Sequence, residues 1–304
     1  MPIVPTKFIW MDGELVEWEK ATIHVLNHSL HYGSGVFEGI RAYRTKRGPA
    51  VFRLTDHIER LHQSAKIYLV EMPFGVQQLI EASKLTVREN NLEACYIRPL
   101  VYHGYGEMGL NPLVSPVKVA IMAWTWGAYL GEEGFTKGVK VKISSWRRND
   151  QNAMPPAAKA TGQYLNSGLA KVEAVKSGYD EAIMLNMFGH VADATGENVF
   201  IVRDGVLLTP PVSAGPLAGI TRDSIMTIAR DLGIQVEEAN LVRTDLYTAD
   251  EAFLTGTAAE VVPIRSVDDR DLGELGPVTK KIQEVFFATV QGEVEKYSDW
   301  NEYV

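Results

Sequence analysis

The sequence predicts an α+β protein of two domains. The first half of the chain carries strand-like runs and two helical patterns, which is an α+β layout. A polar segment, residues 145–156, ends in Pro-Pro and is the best candidate for a linker. The part that follows is again rich in short strands. We therefore predict a smaller N-terminal domain over 1–144 and a larger, strand-rich C-terminal domain over 157–304.

Turn signals and apolar patterns mark the elements of the first half. Asp12-Gly13 lies between two apolar runs and predicts a hairpin. Gly48-Pro49 is interpreted as a second turn, and Thr55 as the cap of the first helix. The predicted strands cover 8–11, 14–16, 40–43, 50–53, 95–101, 117–124 and 139–144, and the predicted helices cover 56–68 and 77–90.

The second half contains three helical patterns between short strands. Leu165, Leu169, Val172 and Val175 lie on one stripe, so we predict an amphipathic helix that buries this stripe. Gly233 ends another helix. The predicted helices cover 165–176, 220–232 and 278–294, and the predicted strands cover 181–185, 198–202, 206–208 and 251–254.

Composition restricts the class of protein. A net charge of -8 argues against binding to nucleic acid or to an anionic membrane surface. A single cysteine, Cys95, excludes an intrachain disulfide and suits a reducing compartment. No apolar run is long enough to span a bilayer, and the N-terminus lacks the apolar core of a signal peptide. We expect a cytoplasmic protein, and we predict no metal site.

A glycine-rich stretch, residues 31–43, resembles a nucleotide loop only superficially. Its glycines are spaced GxGxxxG, at Gly33, Gly35 and Gly39, whereas dinucleotide sites use GxGxxG. A strand pattern follows it instead of a helix. A Rossmann domain is therefore disfavoured.

The chemistry is predicted at Lys159. Pro155-Pro156 restricts the approach to an extended backbone, and small residues flank the amine. If the amine is desolvated, its pKa falls and it is able to attack a carbonyl. An ordinary surface lysine after a loop is the alternative that this segment leaves open.

Three further stretches offer donors for an anion. Gly219-Ile220-Thr221 opens a helix, where backbone N–H groups and the helix dipole favour negative charge. Thr255-Gly256-Thr257 ends a strand with two hydroxyls. Arg60 offers a bidentate donor. Taken singly, each has a plainer interpretation, as a cap, a turn or a surface arginine.

Together these stretches resemble the branched-chain amino acid aminotransferases, which are fold-type IV pyridoxal-phosphate enzymes. The resemblance covers nearly the whole chain in family order. The matching motifs are Tyr32–Arg41, Tyr96–Leu100, Pro155–Tyr164, Gly196–Phe200, Gly219–Arg222 and Thr255–Ala258.

The resemblance implies pyridoxal 5'-phosphate as cofactor, bound to Lys159 as a Schiff base. Tyr164 then donates to the cofactor phenolate oxygen, and Leu217 packs against the ring. Asp193 faces the pyridine nitrogen, at a position where the family usually has glutamate. The residues assigned to the phosphate are Arg60, Ile220, Thr221 and Thr257.

The resemblance also implies the substrates. Tyr96, Arg98 and the Thr257-Ala258 backbone bind substrate carboxylates. The implied reaction is reversible transfer of the amino group of leucine, isoleucine or valine to 2-oxoglutarate, in a homo-oligomer that is a dimer at least, with a hexamer as the larger alternative. The other substrate-binding positions, some of them from a partner subunit, are Tyr32, Phe37, Gly39, Met108, Leu110, Trp126 and Tyr129.

Three related activities and one unrelated function remain as alternatives. A D-amino acid aminotransferase, an (R)-amine aminotransferase and an aminodeoxychorismate lyase share the predicted fold. The tyrosine–arginine pair at Tyr96 and Arg98 and the Phe37–Arg41 motif favour the branched-chain group. The alternative from a different class is a protein that binds the cofactor or another small ligand without turnover.

Overall fold

Two β-sheets organise the chain, and each belongs to its own compact unit. The computed structural model describes residues 3–127, 129–131 and 133–304. The first unit comprises Met1–Trp126, Ala158–Gly162 and Thr289–Val304, and the second comprises Gly127–Ala157 and Gln163–Ala288.

The sheet of the first unit is antiparallel throughout. Its strands are β1 (Phe8–Met11), β2 (Glu14–Glu17), β3 (Gly35–Phe37), β4 (Ile40–Thr45), β5 (Gly48–Phe52), β6 (Cys95–His103), β7 (Val117–Trp124) and β17 (Asn301–Tyr303). They are arranged in the order β17-β5-β4-β6-β7-β1-β2, and β3 pairs with β6. The helices of this unit are α1 (His28–Tyr32), α2 (Leu54–Ile67) and α3 (Val76–Glu89).

Helices α2 and α3 share one apolar core with this sheet. Leu54, Ile58, Leu61 and Ala65 recur at helical spacing along α2, and all four are buried. Central strand residues such as Ile97 belong to the same core. This packing fixes the polar residues of α2, which occupy the positions between the apolar ones.

The sheet of the second unit is mixed. Its strands are β8 (Val139–Ile143), β9 (Glu181–Leu185), β10 (Val191–Ala194), β11 (Asn198–Arg203), β12 (Val206–Thr209), β13 (Val236–Glu238), β14 (Glu251–Gly256), β15 (Glu260–Val267) and β16 (Arg270–Asp271). The order is β10-β9-β8-β15-β14-β11-β12-β13, with β16 on β15. Strand β8 runs parallel to β9 and to β15, and β12 runs parallel to β13. The helices are α4 (Gly134–Lys137), α5 (Tyr164–Lys176), α6 (Ile220–Asp231), α7 (Arg243–Tyr247) and α8 (Pro277–Val290).

The predicted α+β class with two domains is confirmed, and two local predictions are wrong. Gly48-Pro49 is not the turn: both residues lie in β5, and the chain reverses at residues 46–47. Thr55 is not a cap, because α2 begins one residue earlier and Arg53, in a left-handed conformation, precedes it. The hairpin at Asp12-Gly13 is confirmed.

The units divide the chain differently from the predicted domains. Residues 145–156, predicted as the linker, lie inside the second unit, whereas the lysine segment Ala158–Gly162 belongs to the first. The lysine segment belongs to the first unit because its backbone hydrogen-bonds with the glycine-rich stretch of that unit. Thr289–Val304 also joins the first unit, since β17 extends the sheet beside β5.

Helix α5 forms as predicted, but its apolar stripe is not buried. Leu165 is 74% exposed and Val175 57% exposed. The helix instead packs with Ala170 and Ala174 against Ala182 and Met184. Small side chains allow that close approach to β9, so the larger apolar residues face away from the sheet. Among the described residues, no helix has the length and apolar character needed to cross a membrane.

Candidate active site

Lys159 lies on a short segment that hydrogen-bonding holds on both sides. Its N–H donates to Ser64 Oγ of α2 at 2.9 Å, and its carbonyl accepts from Phe37 N at 3.0 Å. The amine lies 5.0 Å from the centre of the Phe37 ring, and the residue is half-buried. The lysine predicted from sequence is therefore held by tertiary contacts and is not on a solvated face.

Two glycines allow the lysine segment to lie against the glycine-rich stretch. Gly33 has a left-handed conformation (φ 64°), and a Cβ there would lie 2.7 Å from Gly162 Cα. Thr161 Oγ1 donates to Gly33 O at 2.8 Å and accepts from Gly35 N at 3.2 Å. Gly33 and Gly35 thus allow close backbone packing at this stretch.

Arg60, predicted as a phosphate ligand, is paired with a carboxylate that the sequence did not single out. Its Nε and Nη2 donate to Glu38 Oε1 and Oε2 at 2.7 and 2.8 Å. Glu38 is fully buried, and burial raises its pKa; the charge of Arg60 and a hydrogen bond from His57 outweigh this and hold the pKa well below its usual range. Arg60 is thus not the surface arginine that the sequence left open.

The predicted carboxylate-binding pair is surrounded by aromatic rings. Arg98 Nη2 donates to the Tyr96 hydroxyl at 3.0 Å, and its guanidinium lies 4.6 Å from the centre of the Phe37 ring. The Tyr96 ring lies 4.7 Å from that of Trp126, edge to face. A Cβ on Gly39 would collide with the Tyr96 hydroxyl, so this position accepts only glycine without rearrangement. These five residues therefore come together in the first unit.

Tyr32, Met108 and Leu110 form a second group in the same unit. The Tyr32 hydroxyl donates to Met108 O at 3.1 Å. The buried His28 connects the two stretches, with its ring nitrogens 2.7 Å from Ser34 Oγ and 2.8 Å from Gly109 O. Leu110 is 82% exposed.

In the second unit, the start of α6 is closely packed against Asn198. Gly219 precedes the helix, whose first-turn N–H groups have no acceptor within the helix. A Cβ at Gly219 would collide with the Asn198 side chain, whose Nδ2 donates to Leu217 O at 2.9 Å. Thr221 is buried, and Ile220 is also buried.

Asp193 is paired with an arginine that sequence reasoning missed. Its Oδ1 lies 3.2 Å from Arg148 Nε, and both side chains are almost fully buried. Arg148 also donates from Nη1 to Ser167 Oγ of α5 at 3.1 Å. The arginine lies 45 residues from Asp193 in the sequence, so no local pattern reveals the pair.

Two more buried carboxyl groups, those of Glu181 and Glu197, belong to the same unit as Asp193. Glu181 accepts from Lys171 Nζ and from Thr195 Oγ1, each at 2.7 Å. Burial, and then the charge of Glu181, raises the pKa of Glu197 to about 8. The raised pKa favours the protonated form of Glu197 at neutral pH.

The remaining predicted residues of the second unit are half-buried or exposed. Tyr164 is the first residue of α5 and is half-buried. Thr257 and Ala258 follow β14 and are also half-buried. Tyr129 is 37% exposed, with Lys171 Nζ 5.5 Å from its ring centre.

The chemistry of these groups fits pyridoxal phosphate. Arg98 Nε is buried and has no hydrogen-bond partner in the part of the chain that the structure describes. Such a donor suits an anionic ligand. Gly219, at a helix N-terminus, allows the Asn198 side chain to lie directly against the backbone there. Lys159 and Arg60 in the first unit offer an amine and a guanidinium, and Asp193 in the second offers a buried carboxylate, which are kinds of group that suit this cofactor.

Comparison with known proteins decides the family. The model of the class IV amino-transferases matches residues 35–267. This chain belongs to the class IV aminotransferases. The chain is 50% identical to the branched-chain-amino-acid aminotransferase of Pseudomonas aeruginosa, over 97% of each chain. The resemblance to branched-chain enzymes is thereby confirmed.

Solved structures of the family share the whole fold. The branched-chain amino acid aminotransferase of Escherichia coli has a TM-score of 0.96 and 48% identity, with 98% of this chain and 99% of that chain covered. The T.th. enzyme of the same name, complexed with N-(5'-phosphopyridoxyl)-L-glutamate, has a TM-score of 0.94 and 48% identity, with 98% of each chain covered.

Proposed function

We propose that this protein transfers the amino group of branched-chain L-amino acids (leucine, isoleucine, valine) reversibly to 2-oxoglutarate, with pyridoxal 5'-phosphate bound to Lys159. The branched-chain names of relatives that match nearly the full length support this activity. The phosphopyridoxyl ligand of the T.th. enzyme supports the cofactor.

One observation carries the proposal: the half-buried amine of Lys159 on a segment held from both sides. Pyridoxal phosphate, when bound, withdraws electrons from the substrate α-carbon and makes its proton acidic. With the cofactor bound, the lysine amine would act as the base that moves this proton. Because the backbone on both sides of Lys159 is fixed, its side chain swings without displacing the segment.

The cofactor is proposed to be held through its ring and through its phosphate. Asp193, whose carboxyl group lies beside Arg148, pairs with the ring nitrogen and favours its protonated form. Tyr164 donates to the phenolate oxygen, and Leu217 packs on the ring. The phosphate is assigned to Arg60, Ile220, Thr221 and Thr257.

Substrate recognition is proposed to combine one cation with an aromatic surface. Arg98 and Tyr96 bind carboxylates, together with the backbone at Thr257-Ala258. Phe37, Trp126 and Tyr129 contact the apolar side chain of leucine, isoleucine or valine. The same site accepts the distal carboxylate of glutamate because Arg98 offers a charged donor there.

The protein is proposed to act in the cytoplasm as a homodimer at least. Tyr32, Met108 and Leu110 are assigned to the neighbouring subunit's pocket. Leu110 is almost fully exposed on its own chain, as expected for a side chain that a partner covers. The ligands are small amino and 2-oxo acids, and no nucleic acid or membrane partner is proposed.

Reduction with borohydride tests the proposal. We expect the pyridoxyl group on the peptide that contains Lys159, and glutamate formation from L-leucine and 2-oxoglutarate in a coupled assay. Lys159→Ala removes both, whereas Lys176→Ala, on exposed α5 surface, changes neither. A pyridoxyl group on Lys171 or Lys176 contradicts the assignment. Turnover of D-leucine in place of L-leucine points to a D-amino acid enzyme, and binding without turnover points to a carrier.

A further inference from the structure

Glu38 is a buried carboxylate whose two oxygens accept hydrogen bonds from the same guanidinium. It lies between β3 and β4 with no exposed surface. Oε1 accepts from Arg60 Nε at 2.7 Å and Oε2 from Arg60 Nη2 at 2.8 Å. A bidentate pair of this kind fixes the plane of the guanidinium as well as its position.

His57 in turn fixes the carboxylate. Its Nδ1 lies 2.7 Å from Glu38 Oε2, and its side chain is buried. Burial lowers the pKa of His57, and the charges of Arg60 and Lys159 lower it further, while Glu38 opposes them. The ring is therefore neutral at neutral pH, and a neutral ring that bonds a carboxylate does so through a protonated Nδ1.

The same face of α2 holds the lysine segment. His57, Arg60 and Ser64 are spaced i, i+3 and i+7, so they lie on one side of the helix. Ser64 accepts from the N–H of Lys159, and Phe37, the neighbour of Glu38, donates to the Lys159 carbonyl. The direction of the Arg60 guanidinium relative to Lys159 is thus set by the helix and by the carboxylate together.

We propose that Glu38 and His57 are positioning residues that orient the Arg60 guanidinium toward the cofactor phosphate. This inference rests on the proposed function, since it takes Arg60 as a phosphate ligand. An arginine held in advance loses little conformational freedom when the anion binds.

Orientation and charge predict opposite effects for removal of the carboxylate. Glu38 is an anion near the phosphate, so by charge alone Glu38→Gln strengthens phosphate binding. If the carboxylate serves to orient Arg60, the same change weakens phosphate binding, because the guanidinium loses its bidentate partner. His57→Gln isolates orientation, because a neutral ring is replaced by a neutral amide.

The test compares pyridoxal phosphate with pyridoxal, which lacks the phosphate. Dissociation constants are measured from the visible absorbance of the lysine-bound cofactor. We expect both Glu38→Gln and His57→Gln to weaken pyridoxal phosphate binding about 10-fold, with pyridoxal changed less than about 2-fold. Glu38→Asp, which keeps the charge, restores part of the loss. In an Arg60→Met background, Glu38→Gln produces no further change in the ratio of the two constants.

Glu59→Gln is the matched control, because Glu59 is exposed on α2 beside Arg60 and carries the same charge. It leaves both constants unchanged. Equal weakening of pyridoxal and pyridoxal phosphate shows a general structural role and overturns the inference, as does tighter phosphate binding in Glu38→Gln. If Glu38→Gln does not fold, His57→Gln tests the inference through the same ratio of dissociation constants for pyridoxal phosphate and pyridoxal. A parent protein that binds pyridoxal phosphate no better than pyridoxal overturns the proposed role of Arg60 as well.

Discussion

Arg98 is a cation held by aromatic rings. In the described part of the chain its guanidinium has the Tyr96 hydroxyl and the faces of Phe37 and Tyr96 as neighbours, and its Nε has no partner. Cation–π contacts lower the cost of keeping a charge out of water and leave its N–H groups available to an incoming acid. Under the proposed function, this arrangement allows a largely apolar site to accept the second carboxylate of glutamate.

Arg98→Ala is expected to separate the two substrate classes. Glutamate and 2-oxoglutarate lose about 10- to 100-fold in kcat/KM, because a distal carboxylate is left without a charged donor. Leucine loses much less. Half-reactions with each substrate measure the difference, and Arg44→Ala, an exposed arginine on β4, serves as the control. Equal losses for leucine and glutamate remove Arg98 from this role.

Asp193 is expected to control the rate of the half-reaction more than cofactor binding. Asp193→Glu keeps the charge and extends it by one methylene, so we expect cofactor affinity within about 2-fold of the parent and a faster half-reaction. Asp193→Ala removes the anion that pairs with the ring nitrogen and lowers the rate about 100-fold or more. Single-turnover kinetics with leucine measure both variants.

If Asp193→Ala reacts as fast as the parent, Glu197, the other acid of the segment, is the residue that pairs with the ring nitrogen. The structure argues against that outcome, because the raised pKa of Glu197 leaves it protonated at neutral pH. A neutral carboxyl is a weak partner for a protonated ring nitrogen.

At the scale of elements, the exposed apolar residues are concentrated in a few places. In the first unit, residues 23–32 lie beside residues 105–114, linked by a backbone bridge between Asn27 and Tyr105. Both stretches expose large apolar side chains, among them Val25 at 69% and Leu110 at 82%. In the second unit the stripe of α5 is exposed in the same manner. Contiguous apolar surface of this kind is typical of subunit interfaces.

We therefore expect a homodimer or larger assembly in sedimentation velocity. Leu110→Glu places a charge in the loop that we assign to the neighbour's pocket, so it is expected to weaken the assembly and lower activity about 10-fold or more. Leu69→Glu is the control, because Leu69 is 70% exposed and lies outside both stretches. An active monomer at working concentrations contradicts this prediction.

At the scale of the whole molecule, buried ionisable groups make stability depend on pH. Glu197 has a folded-state pKa of about 8 against 4.5 when unfolded. Between these values the folded state holds a proton that the unfolded state has lost. The stability that Glu197 contributes through this proton is therefore fully present below pH 4.5 and is lost as the pH rises toward 8.

Glu197→Gln tests this dependence. The amide resembles the protonated acid and does not titrate, so the variant is expected to lose less stability than the parent between pH 4.5 and 8. The difference in slope is at most about 1.4 kcal/mol per pH unit, the value for one proton. Urea unfolding over this range measures it, with Glu284→Gln, an exposed acid of α8, as the control. Parallel curves for parent and variant contradict the raised pKa.

The elements of this protein follow from local patterns. The hairpin at Asp12-Gly13, strand β7 and strand β9 have the predicted bounds or nearly so, because apolar alternation and turn residues act over a few positions. The turn at Gly48-Pro49 was mispredicted since strand pairing with β4 outweighed the turn propensity of both residues. The family was also determined by sequence, through motifs spread along nearly the whole chain.

Only the tertiary structure decided which groups become partners. Lys159 and Arg60 were predicted from sequence as chemical groups, but Ser64, Glu38 and His57 were not predicted to hold them. Arg148, likewise, is joined to Asp193 across a long stretch of chain. Strand register and helix packing bring such residues together, and neither is encoded in the spacing around a single motif. The exposed stripe of α5 has the same cause: a periodic pattern predicts an apolar face, but the surface that covers it depends on how the rest of the chain packs.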